Sequence, residues 1–145
     1  MLVKKINPSF LSFQIILAIA IIGGFLLWRA TTWGPWAFSD SSAYLSGARN
    51  FIKGHGLVIL HSAGYEIQIT EFPPLFPVLL GFFSGKDGDF IQVARWMNII
   101  FFSGSVFLTG AIIYLVGRSV LLGILGSAVV AVSYTHLTLP TKRIV

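Results

Sequence analysis

Four side chains in one stretch of this sequence could do chemistry: Asp40, Arg49, Lys53 and Glu71. Asp40 opens the run DSSAYLSGARNFIKGHG, about a dozen residues past the end of an uninterrupted apolar stretch. A carboxylate within hydrogen-bond reach of an attacking hydroxyl can take its proton, so Asp40 is a candidate general base. Asp is also a preferred helix N-cap, and its charge suits the positive end of a helix, so the residue reads equally well as a cap. Glu71 opens a second run, EFPPLFP. It reads either as an exposed loop acid or as a contact to substrate or metal. Arg49 and Lys53 fall on one polar helix face. There they are either solvated, with their stems along apolar surface, or placed to neutralise a phosphate.

The remaining polar residues offer less. His55 and His61 have no neighbouring ligand partner in the sequence and suit turn or surface roles. Asp87-Gly88-Asp89 could hold a cation, but the pattern is that of a turn. No metal ligand set is assigned; the cofactor is left open, a divalent cation included. The chain has no cysteine, which excludes disulfides, thiolate nucleophiles and cysteine-bound metals. No phosphate-cradling glycine loop is present. The formal charge is +5, but no basic patch points to nucleic acid.

The elements that must position these residues are set by hydropathy. Of 145 residues, 55% are hydrophobic and 10% charged, with mean hydropathy +0.84. An ordinary soluble domain carries about 25% charged residues, so this composition is that of a membrane protein. Residues 10–28 contain no charge and, as a helix, reach roughly 28 Å, close to the hydrocarbon thickness. Lys4 and Lys5 precede this run, as in a signal peptide. Its length exceeds the usual apolar core of about 7 to 15 residues and no small-residue cleavage site follows, so it is read as a retained anchor. Further spans are expected over about 94–117 and from 119, the latter cut short near Ala131. The long uncharged runs, 10–28 and 96–117, hold no Asp, Glu, Lys, Arg or His.

Charge placement orients the chain. All five acids lie between the uncharged runs 10–28 and 96–117, where five bases balance them. The flanks hold Lys4, Lys5 and Arg118 and no acid. By the positive-inside rule the N-terminus is cytoplasmic and residues 29–93 are external.

Within that external segment, Ser39 or Asp40 can cap a helix running to Lys53, with Gly54 as its stop. Tyr44, Leu45, Ala48, Phe51 and Ile52 fall on one arc, and Ser46, Arg49, Asn50 and Lys53 on the other. Such an amphipathic helix can lie along the membrane interface. The β-branched runs on either side of Gly64 suggest a short hairpin. Residues 72–84 are apolar but reach only about 20 Å, which favours a second juxtamembrane or re-entrant helix over a crossing. Pro77 falls in its first turn or kinks it. The fold class expected is an all-α, multi-pass membrane bundle with juxtamembrane amphipathic helices in the first external loop.

Residues 132–145, VSYTHLTLPTKRIV, break with everything before them. They resemble the translation of a transposase sequencing adapter. They are therefore expected to be a non-native tail on residues 1–131, with the parent protein longer.

The runs FSDSSAYLSGARNFIKGHGL and EFPPLFPVLLGFF, continued through ARWMN, resemble the N-terminal end of membrane glycosyltransferases of the GT-C type. This group includes protein O-mannosyltransferases, aminoarabinose transferases and related bacterial enzymes. The resemblance implies a multi-pass fold with two juxtamembrane helices in the first external loop. It implies that Asp40 is the catalytic base, and that the donor is a polyprenyl- or dolichyl-phosphate sugar used at the outer membrane face. Many relatives have Asp-Glu where this chain has Asp40-Ser41. The complete fold of the group has further helices and basic residues, so residues 1–131 alone are expected to be inactive. A non-catalytic multi-pass protein, such as a transporter or assembly subunit, is the competing expectation.

Overall fold

The computed structural model describes residues 8–32, 39–60 and 64–138. These are mostly helical, with α1 at Pro8–Ala30, α2 at Ser39–Ile52, α3 at Leu75–Ser84, α4 at Phe90–Gly117 and α5 at Val120–Thr138. Strands β1, Val58–Leu60, and β2, Glu66–Gln68, form an antiparallel pair. The contacts divide into two compact units, one of residues 1–32 and 98–145, the other of residues 33–97. Among the described residues two helices are long and apolar enough to cross a membrane, over Phe10–Ala30 and Phe90–Gly117.

In the first unit, α1 starts on Pro8, where a missing N–H costs nothing because the first turn has no acceptor for it. The other end is closed by threonines. Thr31 donates through its hydroxyl to the Leu27 carbonyl at 2.8 Å, and Thr32 to the Arg29 carbonyl at 2.6 Å. Ala20, Leu27, Ile99, Phe102 and Val106 form the core, with Val130 and Ala131 of α5 packed against it. The buried Ser127 hydroxyl of α5 donates to the Val106 carbonyl of α4 at 3.2 Å. Such a bond between apolar helices contributes about 0.6 kcal/mol on average. α4 and α5 are joined by Arg118, which takes a left-handed conformation (φ 48°), and by Ser119, whose hydroxyl accepts from the Leu122 N–H at 3.4 Å. α5 continues as helix through Thr138, seven residues beyond Ala131.

In the second unit, the hairpin expected around Gly64 is present, in the register Val58↔Gln68, Ile59↔Ile67, Leu60↔Glu66. α2 ends as expected at Gly54. The Gly54 N–H bonds the Phe51 carbonyl and the His55 N–H the Asn50 carbonyl, both at 3.0 Å. This paired closure requires the left-handed Gly54 (φ 90°). α3 is about 15 Å long, half of a bilayer's hydrocarbon thickness. Pro77 sits in its first turn, where its missing N–H leaves no bond unmade. At Gly81 α3 comes so close to α2 that a Cβ there would stand 2.9 Å from the Ala48 carbonyl oxygen. Ala48, Leu80, Phe90, Ala94 and Met97 make the core of this unit.

Two expectations are corrected. α2 does not present a single polar face. Asn50, placed by periodicity on the polar arc with Ser46, Arg49 and Lys53, donates its side-chain N–H to the Val58 carbonyl at 2.7 Å and is half-buried against the hairpin. Secondly, α4 begins at Phe90 rather than near 94. Asp89 caps it, its Oδ1 accepting from the N–H groups of Ile91 and Gln92, each at 3.0 Å. Arg95 therefore lies inside the long apolar helix, and it is buried. The helix thus starts before the uncharged run 96–117 and takes in Arg95.

Candidate functional site

Asp40 is exposed and lies in the first turn of α2, one residue inside the helix. There its carboxylate complements the unsatisfied N–H groups of the helix start. One turn on, Tyr44 packs on two rings of the EFPPLFP segment. Its centroid is 5.3 Å from that of Phe72, at 60° between planes, and 5.5 Å from that of Phe76, at 73°. Phe72 is the neighbour of Glu71, which is also exposed. The Tyr44 contacts thus draw the Glu71 segment to the Asp40 end of α2. An exposed carboxylate can act as a general base on any substrate hydroxyl that comes within hydrogen-bond reach of it.

Arg49 and Lys53 lie elsewhere. Arg49 is nine residues along α2 from Asp40, or about 14 Å down the helix axis, and Lys53 follows the helix's last residue, Ile52. There they line a concavity of about 290 Å³ with Lys86, Asp87, Gly88 and Phe90. The Arg49 guanidinium stands over the Phe90 ring, 5.4 Å from its centroid, a cation–π placement. The structure therefore brings Asp40 toward Glu71, and Arg49 and Lys53 toward Lys86. It does not bring the two groups together.

The other polar residues take structural roles. Asp89 is a helix cap, which accounts for the Asp87-Gly88-Asp89 pattern as a turn. His55 pairs through Nδ1 with Glu66 at 3.0 Å on the hairpin surface. Both partners are well exposed, and such pairs contribute about 0–1 kcal/mol. His61 and the tryptophans Trp33 and Trp36 lie outside the described residues. Among the described residues no three His, Asp or Glu side chains gather as a metal would need. A larger concavity in the first unit, about 470 Å³, is lined by Asn98, Phe101, Phe102, Ser105, Val129, Val130 and Ser133. It holds no titratable group.

Sequence reasoning missed Tyr44 as the tie between the two acidic segments, because periodicity assigned it only to an apolar arc. It missed Lys86 as a partner of Arg49 and Lys53, because the two segments are more than thirty residues apart in the chain. Gly85, which ends α3, was the local sign that the chain turns there.

Comparison with protein-family models, with curated proteins and with solved structures finds no match to this chain.

Proposed function

We propose that this chain is the N-terminal part of a multi-pass membrane glycosyltransferase that moves a sugar from a polyprenyl-phosphate donor to an acceptor hydroxyl at the outer membrane face. The observation that carries the reading is the Tyr44–Phe72 contact, which gathers the Asp40 and Glu71 segments after an apolar helix of membrane-spanning length. Asp40 takes the acceptor's hydroxyl proton while the acceptor oxygen attacks the anomeric carbon. The bond from that carbon to the donor phosphate oxygen breaks, and polyprenyl phosphate leaves as the anion. Glu71 orients the acceptor or donor from the same end of α2.

The leaving phosphate needs positive charge near the attacked carbon. Arg49 and Lys53 were the expected source. Arg49, about 14 Å along α2 from Asp40, and Lys53, past the end of that helix, are far for that task, and the role is left to basic residues of the longer parent protein. The charge asymmetry of the flanks supports a cytoplasmic N-terminus and an external segment 29–93.

A second reading, a non-catalytic membrane protein such as a transporter or assembly subunit, is favoured by one observation: Arg95 is buried within α4, and ionisable groups inside membrane helices mark transport pathways. Sugar transfer by the full-length parent, wild type against Asp40→Asn, separates the two. The transferase reading requires transfer that depends on Asp40, and the transporter reading gives no transfer from either protein.

A further inference from the structure

The concavity at the far end of α2 gathers three cations from two segments. Arg49 stands in the last turn of α2, Lys53 just past its end, and Lys86 comes from the turn between α3 and α4. Asp87 is the one carboxylate in its lining, so the pocket is positive. Like charges gathered in this way repel one another, and an anion between them removes the repulsion. The Arg49 head is held at the wall by Phe90, and a guanidinium so placed suits the paired oxygens of a phosphate.

The surroundings say which phosphate. Three residues before Lys86, Phe82 and Phe83 meet edge to face at 5.5 Å between centroids, and they are 72% and 61% exposed. On α4, Ile91 and Trp96 are exposed as well. Large apolar side chains beside Lys and Arg heads suit a bilayer surface, with rings among the acyl chains and cations at phosphate depth. A pocket for a soluble phosphate has no need of such neighbours.

We infer that Arg49, Lys53 and Lys86 form a docking site for the headgroup phosphate of an anionic glycerophospholipid, separate from the chemistry at Asp40. The site holds the α2–α3 end of the unit at the membrane surface. The inference rests on the membrane reading above and is independent of whether Asp40 is a base.

The test uses the full 145-residue chain in detergent, titrated with phosphatidylglycerol, phosphatidylcholine or inorganic phosphate and read by native mass spectrometry. The wild type should retain phosphatidylglycerol in preference to phosphatidylcholine. Each of Arg49→Gln, Lys53→Gln and Lys86→Gln should weaken that preference by about fivefold, the contribution expected of one cation near an anionic surface. Lys86 is exposed in a turn, so Lys86→Gln keeps the test open if a change on α2 impairs folding. Lys4→Gln/Lys5→Gln/Arg118→Gln removes three charges elsewhere, more than any single pocket variant, and should leave the preference intact. No preference in the wild type, or equal losses in the pocket and control variants, would overturn the site. Inorganic phosphate binding as tightly as phosphatidylglycerol would overturn the lipid assignment. None of these readouts involves sugar transfer, so failure here and failure at Asp40 are told apart.

Discussion

Tyr44 and Phe72 meet ring to ring, 5.3 Å between centroids, and this one contact joins the helix that carries Asp40 to the segment that carries Glu71. The two acids are thirty-one residues apart in the chain. Further along α2, Ile69, two residues before Glu71, lies against Gly47, and the α2–α3 core follows.

Tyr44→Ala should therefore loosen the Glu71 segment as well as lower stability. Each aromatic pair contributes about 0.5–1.5 kcal/mol beyond its buried area. Loss of the contacts to both Phe72 and Phe76 should cost about 2 kcal/mol in denaturant unfolding, while Tyr44→Phe should stay within about 0.5 kcal/mol of wild type. A Tyr44→Ala protein as stable as Tyr44→Phe would show that the rings only pass near each other.

Asp89 is assigned to capping α4 and not to a cation. Asp89→Ala should destabilise by about 1 kcal/mol, whereas Asp89→Asn or Asp89→Ser should retain most of the stability. Added Mg²⁺ or Ca²⁺ should not shift the melting temperature of the wild type through this turn. A metal-dependent shift abolished by both Asp87→Ala and Asp89→Ala would restore the cation reading.

Much of this architecture is legible in the sequence. The uncharged run before Arg29 gives α1, Gly54 gives the end of α2, and the β-branched residues flanking Gly64 give the hairpin. What was not legible depends on partners distant in the chain. Asn50 looks solvated until β1 supplies the Val58 carbonyl. Arg95 looks like a loop base until Asp89 moves the start of α4 to Phe90. The candidate acids were legible by type, but their association through Tyr44 was not. The separation of Arg49 from Asp40 follows from the 1.5 Å rise per residue once the helix is known to be unbroken.

The proposed orientation rests on charge placement and can be read by chemistry. The chain has no cysteine, so single cysteines at Thr70 and Lys86 report without background. Both positions are exposed. In intact cells both should react with a membrane-impermeant maleimide. Reaction at Lys86 only after permeabilisation would place the two ends of α3 on opposite sides of the membrane, against its length of about 15 Å.

The central claim is that Asp40 is a base, and substitution by Asn isolates that property. Asn keeps the size of the side chain and its carbonyl oxygen. It loses only the charge at the helix start, which contributes about 0.3–1 kcal/mol at an exposed position. The measurement is sugar transfer from a polyprenyl-phosphate donor by purified full-length protein, wild type against Asp40→Asn, with the unfolding of both followed in parallel. The expected result is a loss of about 100- to 10,000-fold in rate with little change in stability. Equal rates from a clearly active wild type would contradict the account, leave Asp40 a helix-terminus charge, and move the search for the base to Glu71.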